Sequence, residues 1–474
     1  MHNHLPDIKN NFSEWYNEVI YKAQLVDHSP VRGTMVVMPY GTAIWEQIQN
    51  VLDKQIKETG HRNALFPLFI PKSFLEKEKE HVAGFSPEFA VVTHAGGKDL
   101  EEPLIVRPTS ETIIHHMFSR WIKSWRDLPL KINQWCSVVR WEMRPRPFLR
   151  TTEFFWQEGH TAHATEKEAL EEVDLMVLEY QKLIEGFLAI PIIMGKKTEK
   201  EKFPGAVMTK TFEGIMPDGK ALQMGTSHYL SQNFAHAFDM KFQDKEGNLS
   251  YPYLTSWGVT TRLIGAMVMM HGDQKGLIIP PKIAPIQVVI IPIIKKNANE
   301  AEIMDYAKKL HQELKNQNIL CHLDEDQHNT PGTKFYHWEL RGVPLRIEIG
   351  AQECEKNTLT CVNRVNNEKQ IISRSDAAKN IDFLLKNIQE LLFSQAKKRE
   401  KELLGTTKTL NDFIEIIENN RSAKTNWCGK SSCEEKLKEH KASIRCIVAD
   451  AVQSNNCFVC NEKSNHEIIA ARAY

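Results

Sequence analysis

Pro280-Pro281 and Pro285 constrain the fold more than any other feature, because a ring that fixes φ and removes the backbone N–H stops both a helix and a central strand. The two stretches they separate have different apolar patterns. From Asn11 to Pro280, aromatic-rich β-like runs at Ala64 to Ile70, Ile132 to Trp141 and Thr152 to Gln157 are mixed with helices. The better helix runs from Glu166 to Leu188, with Leu170, Val173, Val177, Tyr180, Ile184 and Phe187 in one stripe. The apolar run Leu263 to Met270 fits a strand or a buried helix. This first stretch predicts an α+β domain on a large antiparallel sheet.

After Pro285, strands and helices alternate. Ile286 to Ile294, Ile319 to Leu323, Leu345 to Ile349 and Thr358 to Val362 read as strands, Ala298 to Asn318 and Ala377 to Phe393 as helices. That is the pattern of βαβ units, and it predicts a compact α/β domain. The charged run Lys397 to Lys401 marks its exit. The expected division is therefore 1–284, 285–394 and 395–474.

The last segment is set apart by cysteine. Of nine cysteines, Cys428, Cys433, Cys446, Cys457 and Cys460 crowd the final fifty residues, against the scattered Cys136, Cys321, Cys354 and Cys361. An odd total argues against a disulfide framework. Cys428 and Cys433 form a C-x4-C pair, Cys457 and Cys460 a C-x2-C pair, the spacing of a four-thiolate Zn2+ site. Four thiolates leave no open position, so the role expected is structural. Cys446 reads as a buried strand residue, and His466 is the alternative ligand.

Sixty Lys and Arg balance sixty Asp and Glu, so any nucleic acid must be held by local patches rather than by net charge. Apolar runs such as Val288 to Ile291 fall far short of the ~20 residues that span a bilayer. With a polar start, the expectation is a cytoplasmic protein with no membrane and no DNA partner.

Familiar nucleotide motifs fail on chemistry. Gly214, Gly219 and Lys220 match a P-loop, but Ala221 stands where a magnesium-binding hydroxyl is required, so Pro217-Asp218-Gly219-Lys220 is read as a hairpin turn. No Gly-x-Gly-x-x-Gly is present. A nucleotide would have to be held by side chains on a sheet. Arg140 and Glu142, two apart in Val139-Arg140-Trp141-Glu142, would share one face of a strand, followed by a Pro/Arg-rich loop and the returning strand Thr152 to His160.

Four neighbourhoods read together go further: Arg107-Pro108-Thr109-Ser110-Glu111, this hairpin, Gln223-Met224-Gly225-Thr226-Ser227-His228, and Ser256-Trp257-Gly258-Val259-Thr260-Thr261-Arg262. They resemble class II aminoacyl-tRNA synthetases. Arg140-x-Glu142 looks like motif 2, the run ending in Arg262 like motif 3, and Phe66 to Pro71 like the tail of motif 1. Thr109-Ser110-Glu111, Trp156 to His160, Gly225 to His228 and Ser256-Trp257-Gly258 are most similar to prolyl-tRNA synthetases of the archaeal and eukaryotic-like type.

The resemblance implies a ligase that joins L-proline to ATP as prolyl-adenylate and passes it to the 3' end of tRNA(Pro). It makes 1–284 the catalytic domain, 285–394 the anticodon-binding domain and 395–474 the zinc-binding domain, in a homodimer joined through motif 1. Arg140, Arg262 and Glu142 are the catalytic candidates. Arginine suits them, since its planar fork engages carboxylate and phosphate together.

The resemblance places Thr109, Glu111, Arg140, Trp156, Glu158, His160 and His228 around proline. It places Arg140, Glu142, Thr151, Thr152, Gln223, Thr226, Thr260 and Arg262 at ATP, which would bring Mg2+. Glu339 and Arg346 are the candidates for anticodon bases. The sixty residues between His160 and Gln223 leave no room for an editing insertion, and the terminal Tyr474 is expected to fold back on the catalytic domain. Two other readings are a catalytically silent paralogue that binds RNA and an amino-acid activator that charges a carrier. Loss of Arg140, Glu111 or Arg262 would favour the first, yet all three are present, and the second predicts no anticodon domain, against which Ile286 to Phe393 counts.

Overall fold

The computed structural model of the protein describes residues 5–74, 89–295, 299–450 and 455–474. Its centre is an eleven-stranded sheet. In spatial order the strands are Leu404–Thr406, Ser422–Trp427, His466–Ala471, Ser443–Asp450, Ile193–Lys196, Met208–Ile215, Ala221–Ser231, Tyr253–Thr260, Glu153–His163, Leu130–Val139 and Arg62–Asn63. Only the two outermost pairs are parallel.

Period-two alternation sends successive side chains of each strand to opposite faces of the sheet. Trp156, Glu158 and His160 share a face with Thr226 and His228 and with Ser256, Gly258 and Thr260, because Glu158 pairs with Gly258 and Ser256 with both His160 and His228. Gln157, Gly159 and Thr161 point the other way, onto the helix Glu166–Gly186. There Tyr180 donates to Gln157 Oε1 at 2.7 Å. Trp257 fills the space left by Gly159, where a Cβ would lie 2.0 Å from the indole.

The helix expected from Glu166 to Leu188 ends at Gly186, and its start is a capping box, with Thr165 accepting from Glu168 N–H and Glu168 from Thr165 N–H. Leu263 to Met270 resolves as helix, Arg262–His271, buried on all sides. Two strand expectations need correction. Ala64 to Ile70 is not continuous: only Arg62–Asn63 and Phe69–Pro71 pair, because Pro67 lacks the donor a ladder needs. The strand before the basic loop ends at Val139, so Arg140 and Glu142 lie just beyond it. Pro145 and Pro147 hold that loop out of the ladder, and Trp141 is half exposed.

The decoy motif is a turn, as expected. Gly219, at φ +77°, donates to Met216 O at 2.8 Å, and a Cβ there would strike Asn420 O.

After Pro285 a five-stranded sheet runs Cys321–Leu323, Val288–Pro292, Leu345–Ile349, Thr358–Asn363, Lys369–Ser373. The first three are parallel, connected through the helices Glu300–Asn316 and Pro331–Leu340. Ala298, the expected helix start, lies outside the described residues. The last helix continues beyond Phe393 to Leu403, since Ala396 and Glu400 remain buried. Arg364 clamps this unit to the residues before Pro280 by a two-pronged bond to Asp273, at 2.7 and 2.8 Å.

Residues 404–474 build their own apolar core from Phe413, Ile417, Trp427, Leu437 and Phe458. Their strands join the rest of the central sheet through the bridge Ala221 with Ala473 and the pair Ile447 with Lys196. Gly195 permits this approach: a Cβ would lie 2.4 Å from Ile447 O. Tyr474 returns as expected, its N–H donating to Ala221 O at 3.3 Å, with Arg146 and Lys220 over its ring. Among the described residues no helix is long and apolar enough to cross a membrane.

Candidate active site

The shared face of the central sheet forms the floor of a cavity of ≈ 620 Å³, within the usual range for small-ligand sites. Thr109, Glu111, Arg140, Glu142, Thr151, Trp156, Glu158, His160, Gln223, Thr226, His228, Thr260 and Arg262 all line it. Residues up to 153 positions apart in the chain meet there because neighbouring strands place them in register. Of the nucleotide candidates, Thr152 alone is absent from the lining. Its N–H donates to Gly33 O and its carbonyl accepts from Arg140 N–H, both at 2.8 Å, so it fixes Arg140 from behind.

One end of the cavity is a set of acceptors. Thr109 Oγ1 donates to Glu111 Oε2. Glu158 is buried between His160 Nε2 at 3.0 Å, Gln134 Nε2 at 3.0 Å and the Ser110 N–H at 3.2 Å. Burial works against the charge on Glu158, yet these donors hold its carboxyl below the ordinary range. Burial likewise opposes protonation of His160, and Glu158 with Glu111 reverses it, raising the imidazole above its usual value. The two directions agree on an ion pair. His228 is the contrast: burial, then the charges of His160 and Arg140, pushes it down to about 3. It is held neutral between Thr209 Oγ1 at 2.9 Å and Thr226 Oγ1 at 3.0 Å.

The other end is cationic. Arg140 donates through Nε to Pro108 O at 2.8 Å, with the rings of Phe154 and Trp156 each 5.4 Å from its guanidinium carbon. Arg262 donates to Leu149 O at 3.0 Å and to Gln223 O at 3.1 Å. Burial, followed by repulsion from Arg150 and Arg140, lowers its pKa to about 10. Guanidiniums packed this closely are stabilised by an anion between them. The arrangement suits a ligand with a cationic amine at one end, a carboxylate in the middle and phosphates beyond.

Some functional positions escaped the sequence reading. Lys197, Glu201, Lys202, Phe203 and Pro204 form one cavity wall from a loop with no periodicity to announce it. Arg107 and Gln134 are the supports. Arg107 donates to Phe66 O at 2.7 Å and Ser137 O at 3.0 Å, and Gln134 accepts from Phe66 N–H while donating to Glu158. For Gln134 the alternation with Cys136 along the strand Leu130–Val139 was the available signal.

Replacing His160 by Leu keeps the volume and removes the partner of a buried carboxylate, which costs roughly 3–5 kcal/mol. The sign of the pH dependence follows from the two shifts. His160, raised above 6.5, contributes fully below that value and loses its contribution as pH rises through the raised pKa. Glu158, lowered below 4.5, contributes above that value and loses its contribution as pH falls through the lowered pKa. The stability gap between wild type and His160→Leu in urea unfolding is therefore widest from pH 4.5 to 6.5 and narrows on either side.

Elsewhere, the thiols of Cys428, Cys433, Cys457 and Cys460 lie within 4.8 Å of one another, a group that can hold a metal ion. Cys446 is buried in the strand Ser443–Asp450, and His466 stands outside the group with its ring 5.6 Å from that of Trp427. Glu339 and Arg346 are brought together, but onto each other. Arg346 donates to Glu339 at 3.2 Å and to Glu348 at 3.0 Å, and lies 4.1 Å over Phe335.

A mainly antiparallel sheet flooring a cavity into which Arg140 and Arg262 project from the ends of its strands, followed by an α/β unit, is the arrangement of a class II tRNA synthetase. The family model "tRNA synthetase class II core domain (G, H, P, S and T)" matches residues 90–271, and "Anticodon binding domain" matches 287–384. "Prolyl-tRNA synthetase, C-terminal" matches 410–474.

The proline–tRNA ligase of Borreliella burgdorferi (strain ZS7) is 48% identical over 98% of this chain and 98% of its own length. That of Natranaerobius thermophilus is 48% identical over 98% and 96%. The crystal structure of prolyl-tRNA synthetase from Cryptosporidium parvum complexed with L-proline and AMP superimposes with a TM-score of 0.93 at 41% identity, covering 99% of both chains. The same enzyme complexed with halofuginone and AMPPNP gives 0.95 at 43%, again covering 99% of both. This chain belongs to the prolyl-tRNA synthetase family.

Proposed function

We propose that this protein activates L-proline with ATP and transfers it to the 3' end of tRNA(Pro). The observation that carries the reading is the single cavity in which the acceptors Thr109 and Glu111 and the Glu158–His160 pair adjoin Arg140 and Arg262. A secondary ammonium has two N–H bonds to donate, and Thr109 and Glu111 accept them. Trp156 and His228 wall the ring. Arg140 holds the proline carboxylate against the α-phosphate, and Arg262 holds the far phosphates of an ATP that lies over Thr226 and Thr260.

A carboxylate oxygen then attacks the α-phosphorus in line, and pyrophosphate leaves. The terminal ribose hydroxyl of tRNA next attacks the prolyl carbonyl, and AMP leaves. No protein nucleophile is required; the protein orients two anions and neutralises the charge that develops. Mg2+ arrives with ATP and adds charge neutralisation at its phosphates.

Three further assignments rest on the same reading. The four cysteines take Zn2+: the Sγ atoms of Cys428 stand 3.6 Å from Cys433 and 3.7 Å from Cys460, close to the ~3.8 Å edge of a tetrahedron with ~2.3 Å Zn–S bonds. The protein is a homodimer in the cytoplasm. Leu65, 84% exposed, and the exposed Leu68, Phe69, Val91 and Trp121 form the apolar surface that a partner would cover. The α/β unit reads the anticodon of tRNA(Pro), and Glu339 or Arg346 must leave the other to meet a base.

The test is proline-dependent ATP–pyrophosphate exchange, followed by charging of a tRNA(Pro) transcript. Both proceed if the reading holds. Exchange without charging points to a carrier activator, and absence of exchange with tRNA bound points to a silent paralogue.

A further inference from the structure

The loop 197–207, between Ile193–Lys196 and Met208–Ile215, has two working faces. One is the cavity wall. Phe203 lies there with its ring 4.6 Å from that of His228, and its N–H donates at 3.0 Å to Thr209 Oγ1, the same hydroxyl that pairs with His228. The opposite face is held by the C-terminal unit. Thr198 Oγ1 donates to Glu434 Oε1 at 2.8 Å, with both residues buried. Lys200 pairs with Glu435 at 2.6 Å, and Lys197 donates to Arg445 O at 2.9 Å.

Glu434 and Glu435 stand on the six-residue helix Ser431–Lys436, beside Cys433. A helix this short does not hold itself. It is anchored in the C-terminal core by Cys433, one corner of the four-thiol group, and by Leu437 in the turn that follows.

We infer that Thr198 and Glu434 are positioning residues that carry the placement of the four-cysteine group into the wall of the amino-acid pocket. Resting on the proline-activating reading, this makes the integrity of the cysteine site a determinant of proline affinity. The effect falls on binding rather than on chemistry, because Phe203 of the loop packs on His228, whereas Arg140 and Arg262 are hydrogen-bonded to Pro108, Leu149 and Gln223 outside it. A wall seated for only a fraction of the time weakens apparent affinity by that fraction.

The experiment uses the full-length protein and Thr198→Val, which keeps the side-chain shape without the hydroxyl. Proline KM in pyrophosphate exchange rises about tenfold, in line with loss of one buried hydrogen bond to a carboxylate, while kcat stays within about twofold. Thr198→Ser restores the KM. A second readout is independent of activity: amide hydrogen exchange across residues 199–204 speeds up in Thr198→Val at unchanged zinc content, and speeds up likewise in wild type treated with a chelator.

Unchanged KM and unchanged loop exchange in Thr198→Val overturn the inference. If wild type lacks proline-dependent exchange, the underlying reading fails, and loop protection still decides the coupling. Should Thr198→Val not fold, Glu434→Gln, which weakens the acceptor at constant shape, answers in the same two readouts.

Discussion

Arg140→Ala lowers proline-dependent pyrophosphate exchange by about 10³-fold or more, with the protein still folded. Removing one preorganised donor from a site of charge development costs about 10²–10³-fold, and Arg140 offers a fork to two anions at once. Its Nε bond to Pro108 O, its place between Phe154 and Trp156, and the Arg140 N–H to Thr152 O bond fix that fork before substrate arrives. Arg140→Lys keeps the charge and loses the plane, so it recovers only a small part of the rate. Exchange kinetics alongside circular dichroism of each variant decide this. Wild-type rates in Arg140→Ala would remove the residue from the reaction.

The second large effect concerns the cysteines. Cys457→Ser, or chelation of the wild type, unfolds the C-terminal core around Phe413, Trp427 and Phe458 while leaving intact the seven strands of the sheet from Ile193–Lys196 to Arg62–Asn63. Structural zinc contributes apparent free energies of about 10–16 kcal/mol in zinc-finger peptides at neutral pH, and this core is too small to offset such a loss. Those seven strands survive because they pack on apolar cores of their own, although Arg445 is lost as the partner of the buried Glu213. Trp427 fluorescence, zinc content and proteolysis confined to residues after 404 report the change. A chelated protein with native Trp427 emission and no new cleavage would show that the thiols hold the unit without metal.

What the sequence by itself determined is what depends on neighbours along the chain. The proline break near 285 marked the change from a mainly antiparallel sheet to a mixed one whose first three strands are parallel. The stripe from Leu170 to Ile184 became the buried side of Glu166–Gly186, and the Cys428 to Cys460 spacing became one thiol group. Pro217 to Lys220 became a turn for reasons internal to four residues. Even the site's chemistry was legible where it sits in short motifs, since Glu158 and His160, two apart on a strand, must share a face.

The tertiary structure alone decided whatever requires a distant partner. Arg140 lies past its strand because Pro145 and Pro147 take the chain out of the ladder, and Thr152 supports Arg140 because Gly33 meets it from a separate segment. Glu339 and Arg346 pair with each other across a helix and a strand, which no local pattern announces. The ionisation of His160 and the neutrality of His228 follow from which groups burial puts beside each ring. The loop 197–207 acquires its role only because Glu434, over two hundred residues later, closes on Thr198. Local pattern is written in propensity and periodicity, whereas a buried charge or hydroxyl takes its meaning from partners that only the fold supplies.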